Sequence, residues 1–250
     1  MKQKKQTQPS LKLRRAKKNI FPVSKAQIEH LIKEYSKEHN VSSEEIYGIM
    51  SEFVGGFEFL RQYKKAVSIY GSSRLGFNSD IYKQACILSY HLAKDGFTVI
   101  TGGGPGIMEA ANKGAYEAGG RSVGINIKLK HKQKINNYVT ESREFQHFYV
   151  RKTMLSFASQ IYIFFPGGFG TLDELFEMIE LVQTEKLSRI PIILVNKNYW
   201  RPLIKWIEED LLQKNHAVDK KDLQIYHLVD NAHEAHQLIK KLIKEKKIPS

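Results

Sequence analysis

The sequence has a single cysteine, Cys86, in 250 residues. That excludes an internal disulfide framework and a cysteine-rich zinc site. No run approaches the roughly 20 apolar residues that a membrane-spanning helix requires. The opening stretch MKQKKQTQPSLKLRRAKKNI is charged but has no apolar core or cleavage-like site, so it does not read as a secretory signal. These absences predict a cytoplasmic protein with no membrane partner. Acids are missing from the first twenty residues, which carry eight of the thirteen net positive charges. Aromatics are missing there too, so the tail offers no stacking platform for a single strand. It reads either as a solvated tail or as a salt-sensitive contact for nucleic acid or acidic partners. The histidines show no metal-ligand spacing; His233 and His236 read as a surface pair, and no metal site is expected. No Ser-His-Asp arrangement stands out either.

What is present is globular: 42% apolar and 26% charged residues, in a length that allows one or two domains. Ser24 with Gln27 and Ser42 with Glu45 fit capping boxes, predicting helices over 24–39 and 43–64. From there, short apolar runs alternate with amphipathic segments. Strands are predicted at 66–71, 97–104, 122–127, 160–165 and 191–195, with a short one within 137–145. Helices are predicted at 79–96, 106–120, 146–158, 172–186, 199–213 and 233–247. Cys86, between Ala85 and Ile87, reads as core. The pattern implies an α/β fold: a Rossmann-like, mostly parallel sheet with helices on both faces, plus an N-terminal helical extension. The expected division is a basic tail (1–20), a helical extension (21–64) and a nucleotide-binding catalytic domain (65–250).

Three predicted strands run into glycine: IYGSSRLG (69–76), ITGGGPG (100–106) and FFPGGFGT (164–171). Glycine turns let backbone N–H groups approach a ligand, and the helix starts that follow favour phosphate. Several such loops at one sheet edge predict a phosphorylated ligand. Two familiar phosphate motifs fail, however. GSSRLG lacks the Gly-Lys-Ser/Thr ending of a P-loop, and GGGPGI has Ile107 where a dinucleotide fingerprint wants glycine.

In PGGFGTLDE (166–174), Gly167, Gly168 and Gly170 are expected to turn the chain sharply, and Thr171 to cap the following helix and reach a phosphate. Two readings of Glu174 stand together. It completes a capping box with Thr171, or it serves the positive charge that develops on a sugar ring when an N-glycosidic bond breaks. Asp173, one residue earlier, points elsewhere or favours the helix start. Glu109 is split between pocket wall and helix-start charge, and Asn112 reads as an ordinary polar helix residue. Ser72 and Arg74 are placed to touch phosphate or base. Arg151 and Lys152 alone read as a solvated helix face.

PGGFGTLDE resembles the PGGxGTxxE signature of the LOG ("lonely guy") family, cytokinin-activating nucleoside 5′-monophosphate phosphoribohydrolases long labelled lysine decarboxylases. GSSR, TGGGPGIMEAANKGA and FYVRKTM stand in the expected order, over about residues 64–245, and with its helical N-terminal extension the chain resembles the long bacterial form. The resemblance implies hydrolysis of AMP or an N6-modified AMP to free base and ribose 5-phosphate, by a homodimer or higher oligomer without a cofactor; no pyridoxal phosphate is implied. It puts Arg151 and Glu174 on the catalytic pair. Lys152, Gly168, Phe169, Gly170 and Thr171 fall on nucleotide-contacting positions, with Gly103, Gly104 and Ser72 lining the same pocket. In the loop KLKHKQKINN, Lys132 stands where relatives often carry an acid that contacts the nucleotide. Arg151 holds its proton too tightly to be a general acid, so orienting Glu174 and holding the nucleotide are its expected roles. With one carboxylate strongly placed, direct attack by water is the simpler expectation. The alternative function is a non-catalytic nucleotide or cofactor carrier on the same fold.

Overall fold

In a sheet covered on both sides, both side-chain rows of each central strand must be apolar. The computed structural model, which describes residues 24–39, 41–128 and 135–248, shows this pattern. Seven strands form: β1 (Ala66–Tyr70), β2 (Thr98–Thr101), β3 (Ser122–Ile127), β4 (Glu141–Phe145), β5 (Ile161–Phe164), β6 (Ile192–Val195) and β7 (Tyr226–Val229). The helices are α1 (Lys25–His39), α2 (Ser43–Leu60), α3 (Asp80–Lys94), α4 (Ile107–Glu117), α5 (Phe148–Ser156), α6 (Phe169–Gln183), α7 (Lys197–Trp206) and α8 (Ala232–Lys244). The basic tail and Lys132 lie outside the described residues.

Every strand pairing is parallel, in the order β4-β3-β2-β1-β5-β6-β7. Val67 and Ile69 of β1, with Ile161 and Ile163 of β5, pack on one face against α3, α4 and α8 through Leu88, Ala111 and Ile239. Tyr70, Tyr162 and Phe164 go to the other face, with Met154 of α5, Met178 of α6 and Trp200 of α7. Tyr70 stacks on Phe164 with ring centres 4.7 Å apart. This is the α/β Rossmann-like architecture that the alternation predicts. The strand order reverses between β1 and β5, and in such sheets the crevice for a ligand opens beyond the carboxyl ends at that reversal.

The chain divides into two units, Met1–Tyr47 and Gly48–Ser250, with the division inside α2. In the first, the Ser24–Gln27 box forms in both directions, at 2.8 and 3.3 Å. Ser42 Oγ accepts the Glu45 N–H at 3.0 Å. In the second, the stretch after β6 differs from expectation. The helix predicted over 199–213 is α7 followed by a π-helical stretch, Ile207–Lys214, after Pro202 has removed a backbone donor within α7. Strand β7 has no sequence counterpart, because its residues are mostly half-buried and carry no clear alternation. Cys86 is half-buried and packs beside the core rather than inside it.

A buried amide organises the loop after β2. Asn112 of α4, fully buried, accepts from Thr101 Oγ1 at 2.7 Å and from Asn136 Nδ2 at 2.9 Å, and donates to Ser122 Oγ at 2.8 Å. Thr101 Oγ1 in turn accepts the Gly103 N–H at 2.9 Å, and Asn136 Nδ2 reaches the Gly103 and Gly104 carbonyls at 3.1 and 3.0 Å. Asn112 is thus a structural anchor rather than an ordinary polar helix residue. Truncating it strands several buried polar groups, each at about 1–3 kcal/mol. Asn112→Ala is therefore expected to lower the unfolding free energy by on the order of 2–4 kcal/mol, read as a lower urea midpoint at unchanged slope.

Candidate active site

The three glycine junctions meet at Ser72. Its N–H donates to the Pro166 carbonyl at 2.9 Å and its own carbonyl accepts from Ile107 N–H at 2.9 Å, so one residue ties the loops after β1, β2 and β5 together. Gly106, at φ +74°, lies where a Cβ would run into the Ser73 backbone (2.7 and 2.8 Å), so only glycine fits this junction. Above the loops lies a cavity of about 730 Å³, at the crevice where the sheet order reverses.

The start of α6 differs from expectation. The helix begins at Phe169 with Gly168 as its N-cap, and the Leu172 N–H bonds the Gly168 carbonyl at 3.0 Å. Thr171 is therefore the third helical residue and not the cap, and its side chain packs against Gly167. The capping-box reading of Glu174 fails with it. Nor do Gly167, Gly168 and Gly170 supply a left-handed turn, since none has a positive φ. A Cβ on Gly167 would collide with the Thr171 side chain, whereas Cβ atoms on Gly168 and Gly170 would project into open space. Gly168, Phe169, Gly170 and Thr171 all line the cavity, and the N–H groups of Phe169, Gly170 and Thr171 stand at a helix start, outside the intrahelical ladder. Phe169 stands at the rim, 93% exposed.

Glu174 and Arg151 face each other across the cavity, Arg151 Nη1 lying 4.0 Å from Glu174 Oε1. Arg151 is held from behind: its Nε donates to the Ile125 carbonyl at the end of β3, at 2.9 Å. The Glu174 side chain is 18% exposed. Burial pushes its carboxyl up to about 7, against the pull of Arg151 in the other direction. A carboxyl so placed is poised to change charge near neutral pH.

The other expected residues divide. Ser72 lines the cavity, and so does Arg74, whose N–H donates to Ser72 Oγ at 3.1 Å. Gly102 lines it, whereas Gly103 and Gly104 present their carbonyls to Asn136 below. Lys152 is taken up by Asp173 at 2.6 Å and Glu177 at 3.3 Å, joining α5 to α6 beside the cavity rather than inside it. Asp173 sits on the cavity edge, and Glu109 is not among its lining residues. His233 bonds Gln237, and His236 pairs with Asp95 at 2.6 Å, both far along the chain from the loops. Among the described residues, no group of three or more His, Cys, Asp or Glu side chains is arranged to hold a metal ion.

Several residues escaped the sequence reading. Phe148 and Leu155 line the cavity from the Arg151 face of α5; their i, i+3, i+7 spacing was the available signal. Asn126, at the end of β3, also lines it and donates from Nδ2 to the Gly102 carbonyl at 3.3 Å. Tyr199 of α7 donates its hydroxyl to the Gly167 carbonyl and so clamps the glycine loop from outside. Nothing local marks that role. No helix of the described residues is long and apolar enough to cross a membrane.

Comparison with known proteins agrees with this geometry. Residues 108–239, more than half of the chain, match the family described as "Possible lysine decarboxylase". The chain is 30% identical over 152 residues to a probable cytokinin riboside 5′-monophosphate phosphoribohydrolase of Oryza sativa subsp. japonica, covering 59% of this chain and 71% of that one. It is 28% identical over 184 residues to a cytokinin riboside 5′-monophosphate phosphoribohydrolase of Arabidopsis thaliana, covering 71% and 82%. The fold resembles the molybdenum cofactor binding protein of Rippkaea orientalis, with a TM-score of 0.54 at 23% identity over 72% of this chain and 98% of that one. It also resembles the molybdenum cofactor carrier protein of Chlamydomonas reinhardtii, with a TM-score of 0.55 at 20% identity over 72% and 99%. With the PGGFGTLDE junction, its buried acid and the facing arginine all in place, the chain belongs to the "Possible lysine decarboxylase" family, the LOG family.

Proposed function

We propose that this protein hydrolyses the N-glycosidic bond of a nucleoside 5′-monophosphate, AMP or an N6-modified AMP, to the free base and ribose 5-phosphate. The observation that carries the reading is the buried Glu174 carboxyl opposite Arg151, a few residues along from an open helix start. The names of the Oryza and Arabidopsis relatives support the same class of reaction.

The phosphate is placed at the start of α6, where bare N–H groups and the helix dipole favour an anion. The α4 start is the poorer seat, because its Ile107 N–H is already bonded to Ser72. A nucleotide anchored at α6 sets its ribose over Glu174. As the C1′–N bond lengthens, the electron pair leaves with the base and positive charge grows on the ribosyl ring. The Glu174 carboxylate stabilises that charge and takes a proton from the water that attacks C1′; the departing base takes up a proton from solvent, and Glu174 returns its own to solvent, so the free base is neutral and the carboxylate is restored. Arg151, which stays protonated, orients the carboxylate and holds the nucleotide. Phe148, Met108 and Leu155 give the cavity apolar surface for a base. Lys152 contributes through α6, by way of Asp173 and Glu177, rather than by touching the nucleotide.

Incubation with a panel of nucleoside monophosphates should release ribose 5-phosphate from AMP or a relative. The matching nucleosides should give none, and Glu174→Ala should lose at least about a thousandfold in kcat/KM. Tight nucleotide binding with no release from any member would leave the carrier as the function. A second outcome follows from charge. The carboxylate is the working form, so kcat/KM should rise tenfold per pH unit below about 7 and level off above. Arg151 lowers the Glu174 carboxyl, so Arg151→Gln should move that break to higher pH; a break that stays put would reflect the substrate phosphate instead. A third separates seat from scaffold. The Cβ of Gly170→Ala enters open space, so thermal stability should hold within about 2 °C while KM for AMP rises about tenfold.

A further inference from the structure

The second half of α2 carries a carboxylate that the site described above leaves unused. Glu52, 16% exposed at its side chain, accepts the Gln146 N–H at 2.7 Å and the His147 N–H at 3.2 Å. A carboxylate oxygen also lies 3.0 Å from His147 Nδ1. These two residues stand directly before α5, and His147 is its N-cap, with no capping bond from its own side chain. Free N–H groups at the entry to a helix are usually met by a nearby Ser, Thr, Asp or Asn. Here a residue 94 positions away supplies the acceptor.

Two features set this contact. Gly55 and Gly56 lie three and four residues after Glu52, on the same helical face. A Cβ on Gly56 would stand 2.9 Å from Met154 Cγ and 3.1 Å from Phe145 Cε1, and one on Gly55 would strike the Arg143 guanidinium. The glycine pair thus lets α2 lie close enough for Glu52 to reach the start of α5. Burial alone would raise the Glu52 carboxyl. The two backbone N–H groups and the imidazole outweigh it and hold the group below its ordinary range. The capped turn is also the one that carries Arg151, whose N–H closes on the His147 carbonyl at 3.1 Å.

We propose that Glu52 is a positioning residue: by capping α5 from α2, it fixes the place of Arg151 opposite Glu174. The inference rests on the hydrolase reading for its kinetic consequence, but not for its structural one. The experiment is a double-mutant cycle on ribose 5-phosphate release from AMP, with Glu52→Ala and Glu52→Gln each made alone and combined with Arg151→Lys. Rates are taken per folded molecule, well below each melting temperature. Glu52→Ala should lower kcat about tenfold, Glu52→Gln, which keeps one acceptor oxygen, should restore most of it, and Glu52→Ala should cost less than about twofold once Arg151 is Lys. The same loss in both backgrounds, or a folded Glu52→Ala at wild-type kcat, overturns the proposal. Where Glu52→Ala does not fold, Glu52→Gln runs the same cycle on a smaller effect. If the wild type releases no ribose 5-phosphate, the hydrolase reading fails separately. The positioning role is then read from amide hydrogen exchange of residues 148–152: faster exchange in the Glu52 variant supports it, and unchanged exchange sinks it.

Discussion

The arrangement of the site depends on the guanidinium of Arg151. It is anchored to the end of β3 through the Ile125 carbonyl, carried by α5, and faces Glu174 of α6 at 4.0 Å. Three elements far apart along the chain are thereby held at one point. Lys152, the next residue, reinforces the arrangement from the other side of α5 by pairing with Asp173 and Glu177. Arginine suits the central position because it stays charged and its planar fork bonds in several directions at once. A buried carboxylate without that partner would be an uncompensated charge.

The loops divide the remaining work. Both α4 and α6 start from glycine after a strand. The Asn112, Thr101 and Asn136 network fixes the loop before α4, and Ser72 occupies its first helical N–H. That loop is built inward, as a wall. The loop before α6 is held from outside by Tyr199 and from behind by Ser72, while Phe169, Gly170 and Thr171, whose N–H groups lie outside the intrahelical ladder, line the cavity. The same composition thus gives one scaffold and one open helix start. What separates them is which polar groups already have partners.

This is also where the sequence was and was not legible. Alternating apolar runs in β1, β5 and β6 and the glycine junctions encode the parallel sheet locally, so the fold and the edge where the glycine loops gather could be read directly. The spacing of PGGFGTLDE drew attention to Glu174, which lines the cavity, but it misread why its glycines are there. Helix α6 starts three residues earlier than a Thr cap would put it, because the glycines leave room rather than make a turn. Asn112, Tyr199 and Glu52 were invisible as structural residues. Each acts through a partner set by packing, 94 positions away in the case of Glu52, and no local pattern encodes such a pairing. Lys152 shows the converse: adjacent to Arg151 in sequence, it turns to Asp173 and Glu177 beside the cavity rather than into it, because consecutive helical residues face about 100° apart.

The energetics of Glu174 connect these points. Its carboxyl stands at about 7 in the fold, against 4.5 ordinarily. A raised carboxyl binds more protons folded than unfolded between those values, so the stability that it contributes is complete below the lower one and falls as pH rises through the higher one. The ionised site is therefore held in an environment that disfavours its own charge, and one arginine at 4.0 Å offsets burial only in part. On the proposed reading, a cation developing at C1′ meets a carboxylate already desolvated and oriented, so their attraction is felt in the transition state more than in the ground state. A carboxylate fully neutralised by Arg151 at close range would be more comfortable in the resting protein and would have less attraction to offer. On that reading the separation between the two groups is a feature of the chemistry, and the elements that maintain it, α5 with its cap and α6 with its glycine start, are as much a part of the site as the residues that line it.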